Sequence, residues 1–365
     1  MNKKIRAIGA AILVAVWVVL TALSWFAPPK EISTAERREL AQLPPITVKS
    51  LLDGTFMTEF EDYSLDQFPL RDRFRQLKSL FCYYVLNQKD NNQIYVADGY
   101  AAQMEYPLNQ DSLDHALKQF QLVYDRYLKN SDTKIYTTVV PDKGYYLAEE
   151  NGYLTMDYES MFAQVQSGMP WSKYVDITGC LQTEDYYYTD THWRQEKLLP
   201  VAQKLAKAMG ATILSAGDYT TTALEQPFYG VYYGQAALPM DPETIYILEH
   251  EMLSACSVYN FTTNQTTPVY DMEKLTGNDP YEVYLSGAES LLRIENPNAK
   301  SGRELIIFRD SFGSSLAPLL LQEYKTVTLV DIRYISPLVL GNFIKFENQD
   351  VLFMYSTLVL NKNLI

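Results

Sequence analysis

Ser311 stands where a chain could carry out nucleophilic chemistry. It follows Leu305-Ile306-Ile307-Phe308-Arg309-Asp310 and precedes Phe312-Gly313-Ser314-Ser315-Leu316. The four apolar residues suit a strand covered on both faces, and the residues after the serine suit a helix packed on that sheet. A serine at such a switch is aimed out of the carboxyl end of the sheet, beside the N–H groups that open the helix, where α/β enzymes expose a nucleophile. The alternative is an N-cap whose hydroxyl only satisfies the helix. A base elsewhere in the chain would decide between them.

The candidate base lies in Tyr186-Tyr187-Tyr188-Thr189-Asp190-Thr191-His192-Trp193. Asp190 and His192 are two residues apart, so in an extended segment their side chains leave on one face. A carboxylate so placed can accept the Nδ1–H, fix the imidazole tautomer and leave Nε2 free to take a proton from a serine. The alternatives are a structural hydrogen bond or half of a metal site. The chain has only three histidines, and its three cysteines (Cys82, Cys180, Cys256) show no ligand spacing, so no metal or other cofactor is expected. With Ser311, Asp190 and His192 complete a nucleophile, base and orienter set.

The site walls are sought in loops at strand ends. Lys134 to Pro141 reads as a strand whose carboxyl end is Asp142-Lys143-Gly144, a place where ligands of open α/β sheets bind; Asp142 itself suits a solvated loop. Gln226 to Gly234 reads as a glycine-bearing aromatic loop, in which Gly230 could bring an N–H to a substrate oxygen or could simply form a turn. Substrate contacts are therefore expected from Lys143, Trp193, Tyr229, Gly230 and Arg309.

Positioning these groups needs alternating strands and helices. Helical spacing is predicted for Leu113 to Tyr127, residues 155–167 and Leu198 to Met209. Strands are predicted at Ile94 to Val96, Tyr174 to Ile177, Ile245 to Leu248, Thr267 to Tyr270, Tyr281 to Leu285, Val327 to Asp331 and Val351 to Tyr355. Gly277-Asn278-Asp279 before Pro280 reads as a turn. The sum is an α/β class with a mostly parallel sheet flanked by helices.

Ahead of this, Lys3, Lys4 and Arg6 precede an uncharged run from Ile8 to Phe26, long enough to cross a bilayer with the basic flank inside. An uncleaved single transmembrane anchor is the expectation, with a cleaved signal peptide ending near Ala22 and Ser24 as the alternative. Residues 33–43 read as helical. Phe74, Leu77, Leu80 and Phe81 form a helical stripe expected to pack on the main domain. The predicted organisation is an anchor over 1–27, a helical lead-in over 28–90 and the α/β domain over 91–365. The formal charge of −13 argues against nucleic acid as partner, and the 29 tyrosines suit carbohydrate or wet interfacial surfaces.

Several blocks together resemble the DHHW-motif protein family, related to alginate O-acetyltransferases and more distantly to SGNH-type hydrolases. They are Glu36-Arg37-Arg38-Glu39-Leu40, Asp66-Gln67-Phe68-Pro69-Leu70-Arg71, Pro141-Asp142-Lys143, Asp190-Thr191-His192-Trp193, Arg309-Asp310-Ser311-Phe312-Gly313 and Asp331-Ile332-Arg333-Tyr334. The resemblance implies an SGNH-hydrolase-like domain, a Ser311, His192 and Asp190 triad, and extracytoplasmic addition or removal of O-acetyl groups on a polysaccharide. It departs from the pattern at Thr191, where the family has His, and at Arg309, where the hydrolases have Gly. The expectation is a membrane-anchored serine acyltransferase or esterase, served by a membrane-bound acyl-donor partner if the reaction is transfer. The rival is a non-catalytic polysaccharide-binding or envelope scaffold protein with a degenerate site.

Overall fold

The computed structural model describes residues 3–33, 35–362 and 364–365. The predicted anchor and lead-in include Met1, Asn2 and Thr34, which lie outside the described residues. The chain divides into two units, one of residues 1–92 with 233–239 and one of residues 93–232 with 240–365.

The larger unit is built on an eight-stranded sheet. Its strands are β1 (Lys134–Val140), β2 (Lys173–Tyr174), β3 (Ser257–Asn260), β4 (Gln265–Thr267), β5 (Leu291–Glu295), β6 (Arg303–Arg309), β7 (Tyr324–Val330) and β8 (Asp350–Ser356). The spatial order is β4-β3-β5-β7-β6-β8-β1-β2. From β7 to β2 neighbours run parallel, whereas β5, β3 and β4 add antiparallel pairs at one edge. The α/β class read from the sequence holds, with a mixed sheet.

The apolar run that ends at Ser311 occupies β6 near the sheet's middle, with β7 on one side and β8 on the other. Successive side chains of a strand leave on opposite faces. Leu305 and Ile307 accordingly join the helix Leu199–Met209 in one core. Ile306 and Phe308 join the helices Gln110–Val123 and Tyr158–Gly168 in the other. Helices on both faces exclude water from both rows, which is why β6 carries no alternation of polar residues.

Three local expectations fail. Residues 281–285 are not a strand: Pro280 opens a short 3₁₀ turn, Pro280–Val283, capped by Asp279, which accepts the Tyr281 N–H at 3.0 Å. Of the strand expected over Thr267 to Tyr270 only Thr267 is in a strand, which runs Gln265–Thr267, and Tyr270 makes an isolated bridge with Tyr284. β2 is two residues long, because the chain turns away after Tyr174.

In the smaller unit an apolar helix spans Lys3–Phe26, and its Lys4–Phe26 stretch is long and apolar enough to cross a membrane. The described residues of 33–43 are not helical. Ile32–Ser33 pairs antiparallel with Arg38–Glu39 around a turn in which Arg37 has φ 52°. Glu36 on this turn binds Arg71 at 2.5 Å and Arg75 at 3.1 Å, while Asp66 binds Arg38 at 2.6 Å. The helices Thr55–Asp66 and Arg71–Leu80 follow, the second continuing through a π-helical turn to Val85. Its apolar stripe is exposed at Phe74, Leu77 and Phe81, not packed away, because Arg71, Arg75, Ser79 and Cys82 take the inward positions.

Candidate active site

β6 ends at Arg309, and the helix Phe312–Leu316 begins at once. The junction needs caps, and Asp310 supplies them. Its Oδ1 accepts the Phe312 N–H at 3.1 Å and its Oδ2 the Ser356 N–H at 2.7 Å, tying the serine turn to the end of β8. Ser311 makes no side-chain cap, so the N-cap alternative fails. Its hydroxyl lies 2.7 Å from His192 Nε2. The Ser311 N–H has no acceptor among the described residues and opens the helix beside that hydroxyl.

His192 reaches the serine from the far end of a tight hairpin. The Tyr186 to Trp193 bridge closes its base, and the Tyr187 N–H donates to His192 O at 3.1 Å. Asp190 Oδ1 accepts the backbone N–H of His192 at 3.0 Å and lies 2.6 Å from its Nδ1. The two side chains meet through this Asx turn and not through an extended strand. Carboxylate, imidazole and hydroxyl thus form one line, with the tautomer set by an acceptor at Nδ1.

Groups distant in sequence hold the hairpin tip. The Val231 N–H donates to Asp190 Oδ2 at 2.9 Å. Glu243 accepts from the Tyr188 N–H at 2.6 Å, and from the Thr189 N–H and hydroxyl at 2.7 Å each. Opposite charge comes from Lys143, whose Nζ donates to Tyr187 O at 2.6 Å and Tyr188 O at 3.3 Å and faces the Tyr232 and Tyr100 rings. Burial draws the Lys143 pKa down to about 7, against the pull of Glu243, Asp190 and Asp142.

The structure revises the expected substrate contacts. Lys143 is buried under the hairpin and presents nothing to solvent. Trp193 is fully buried; its Nε1–H donates to Ser315 Oγ at 2.9 Å and Phe312 O at 3.2 Å, docking the hairpin on the serine helix. Arg309 is fully buried too, donating to Gly287 O at 3.2 Å, and burial lowers its pKa. The Gly230 N–H donates to Thr189 Oγ1 at 2.9 Å and is not offered to an oxyanion. Glycine is required there for close approach, since a Cβ would lie 2.2 Å from Thr189 O. Tyr229 remains exposed. Asp142 is buried and not solvated: it accepts from Tyr158, Thr357 and Gly144, and burial raises its pKa.

Residues that the spacing did not single out complete the site. The Tyr281 ring stacks on His192 at 3.9 Å between centroids and 8° between planes, and its hydroxyl lies 2.8 Å from Ser315 Oγ. Asp279-Pro280 marked the turn, but nothing local told that the next ring would meet a histidine. Leu285, Ser286 and Gly287 all take positive φ (56°, 59°, 96°), an uncommon run for L-residues. Ser314 Oγ and Arg309 both donate to Gly287 O, fixing this loop to the serine helix. A cavity of about 600 Å³ opens beside the hairpin, lined in part by Tyr188, Thr189, Arg194, Glu243 and Tyr246.

A sequence model of the family described as DHHW protein matches residues 161–330, the span that holds Asp190, His192 and Ser311. The resemblance to the DHHW family holds. A DHHW family protein from Eubacterium siraeum is similar in structure, with TM-score 0.60 and 20% identity, over 74% of this chain and 93% of that one. Bacillus cereus PatB1, solved with a sulfonyl adduct, is similar with TM-score 0.57 and 17% identity, over 74% of this chain and 96% of that one. Both share the fold over that part of the chain. No curated protein matches the chain by sequence.

Proposed function

We propose that the chain is an extracytoplasmic serine acyltransferase or esterase acting on O-acetyl groups of a cell-surface or exported polysaccharide. The observation that carries this reading is the unbroken line from Asp190 Oδ1 through His192 to Ser311 Oγ, at 2.6 and 2.7 Å, with the hydroxyl relieved of capping by Asp310. In the first half-reaction Ser311 Oγ forms a bond to the acyl carbon while its proton passes to His192 Nε2. Asp190 stabilises the imidazolium, and the Ser311 N–H faces the developing oxyanion. The leaving oxygen takes the proton back from Nε2 as the bond to the acyl carbon breaks. A sugar hydroxyl or water then gives its proton to Nε2 and attacks the acyl-serine; the bond from the acyl carbon to Ser311 Oγ breaks, and Nε2 returns the proton to Oγ.

The helix Lys3–Phe26 serves as anchor in this reading, with Lys4 and Arg6 on the inner side and the hydrolase-like unit outside. The aromatic and charged lining of the cavity beside the hairpin suits a sugar chain. An acyl-carrying membrane partner would serve transfer, and none is needed for hydrolysis. One observation favours the scaffold reading: Arg309 fills the position where the hydrolases have glycine, and its Nε is buried without a partner among the described residues.

The test is to treat the full chain in detergent micelles with an aryl sulfonyl fluoride and to assay it on a chromogenic acetate ester. An adduct on Ser311 with parallel loss of turnover is expected. Neither an adduct nor turnover would remove the enzyme reading and leave the scaffold. Adding a short oligosaccharide separates the two reactions, since acetylated sugar means transfer and free acetate alone means hydrolysis.

A further inference from the structure

The helix Arg71–Leu80 and its continuation to Val85 are amphipathic in the reverse sense. The inward row is polar. Arg71 binds Glu36 at 2.5 Å, Arg75 donates to Gly234 O at 2.7 Å, and Ser79 bonds to Ala236 O and accepts from Asn91 at 2.6 Å. The outward row is Phe74, Leu77, Phe81, Tyr84 and Val85, spaced at three and four residues and between 44% and 76% exposed. In water this arrangement exposes the face that a helix normally buries. The ion pairs and carbonyl bonds on the inward row fix the rotation, so the apolar row cannot turn away.

What covers the row follows from where the helix begins. Gln67 holds Lys30 twice, accepting its N–H and donating to its carbonyl at 2.9 Å each. Lys30 lies four residues past Phe26, the end of the apolar helix, and four residues span at most about 14 Å. A cavity of about 460 Å³ is lined by Leu23 in that helix and Ala27 just past it, and by Phe68 and Leu70 just ahead of the second helix and Arg73 in its first turn. The second helix therefore starts at the level where the first leaves a bilayer. Exposed Arg73 and Lys78 flank the row, and long cationic side chains there reach anionic headgroups while their stems lie along apolar surface. Aromatic rings such as Phe74, Phe81 and Tyr84 are the side chains that settle at this boundary.

We propose that residues 71–85 lie in the plane of the membrane, with the Phe74, Leu77, Phe81, Tyr84 and Val85 face seated in the headgroup–acyl boundary of the bilayer that Lys3–Phe26 crosses. This rests on the membrane-crossing reading of that first helix and not on the chemistry at Ser311. It gives the smaller unit a second membrane contact besides the anchor.

The experiment places the full chain in nanodiscs of phosphatidylethanolamine and phosphatidylglycerol carrying a trace of lipid with a diazirine in its acyl chain, irradiates, and maps adducts by peptide mass spectrometry. Adducts are expected at Phe74, Leu77, Phe81 and Tyr84 as well as within Lys4–Phe26. None is expected at Tyr334 and Leu338, which are as exposed in the other unit. Adducts confined to Lys4–Phe26 would overturn the second contact and leave the anchor standing. Absence of adducts from both segments would overturn the anchor as well. Links joining Lys78 of two copies by a bifunctional amine crosslinker added to the same nanodiscs, in place of lipid adducts on residues 74–85, would assign the face to self-association and also overturn the proposal.

Discussion

Replacing Lys143 by Met keeps an unbranched stem and deletes the amine that sits under the hairpin. Two effects can be worked from the structure. The first is thermodynamic. Lys143 has an ordinary value of 10.5 and is drawn to about 7 by burial, so between those limits the unfolded chain binds one proton more than the folded one. Stability from this group is therefore complete above about 10.5 and is lost as pH falls towards 7. The whole window is worth on the order of 5 kcal/mol, reduced by the carbonyls and tyrosine faces that favour the ammonium. Met has no such dependence, so the variant should gain on the wild type by about 2–3 kcal/mol on going from pH 9 to pH 6. The second effect is catalytic. Tyr187 O loses its Nζ–H donor, whereas Tyr188 O keeps the Ala101 N–H at 2.8 Å. A loosened tip displaces Asp190 and His192 from Ser311, and a misplacement of about 1 Å costs roughly 10²-fold in rate. The assays are thermal unfolding of the full chain in micelles at the two pH values, and kcat and KM on a chromogenic acetate ester. A variant-minus-wild-type difference in Tm that does not change with pH would refute the burial argument. A KM raised many-fold at constant kcat would refute the positioning role, because it would place Lys143 against substrate.

The remaining predictions bear on the line of three groups and its supports. Ser311→Ala should abolish the sulfonyl adduct and lower turnover by roughly 10⁴ to 10⁶-fold, with Tm unchanged because the hydroxyl caps nothing; a variant that still labels would move the nucleophile elsewhere. Gly230→Ala puts a Cβ 2.2 Å from Thr189 O and 2.3 Å from Asp190 N. Backbone cannot yield as a side chain can, so stability should fall by about 1–3 kcal/mol and kcat with it, and an unperturbed variant would show that the 189–190 turn is pliable. Tyr281→Leu removes the ring stacked on His192, worth about 0.5–1.5 kcal/mol, and kcat should fall roughly 2- to 10-fold with KM unchanged. A fall in Tm alone would make Tyr281 a packing residue only.

The parts legible in the sequence were those fixed by neighbours in the chain. β6 showed as an unbroken apolar run because both its faces are covered, and the helix Leu199–Met209 showed through its inward row and its end at Gly210, which takes φ 62°. The Asp190, His192 pair was visible as spacing, though the geometry that joins them is a turn closed by Asp190 on the next-but-one N–H. The parts that were not legible depend on partners far along the chain. Residues 33–43 have helix-forming composition, yet Glu36 is held by Arg71 and Arg75, 35 and more residues away, and the turn follows those ion pairs. The stripe at Phe74 was read correctly as one face and wrongly as the inner one, since the partners of Arg75 and Ser79 are carbonyls of Gly234 and Ala236. Lys143, Arg309 and Trp193 looked like ligand contacts because polar and amphipathic residues at strand ends usually face solvent; whether a charge is buried is decided by what packs over it.

Lys143, Glu243 and Tyr232 explain how a short irregular tip can hold the Asp190 and His192 pair to within a hydrogen-bond length of Ser311. Between Tyr188 and Thr191 the hairpin has no ladder of its own. Its peptide groups are met instead by a carboxylate, Glu243, taking two N–H groups and a hydroxyl, by the Lys143 amine giving to two carbonyls, and by the Tyr232 N–H on Thr189 O at 2.9 Å. Charge-assisted bonds of this kind are short and directional, and removing one partner leaves a buried charge behind. The two supports grip the loop that carries Asp190 from different segments, one through its carbonyls and one through its N–H groups, so the tip is held only while both are present. Glu243 and Lys143 therefore act on Ser311 without touching it: they set where Asp190 sits, Asp190 sets the imidazole, and the imidazole sets the hydroxyl. Precision at the serine is in this sense a property of strand and loop residues from 143 to 243, which is why a motif of three residues points to a candidate site and does not describe it.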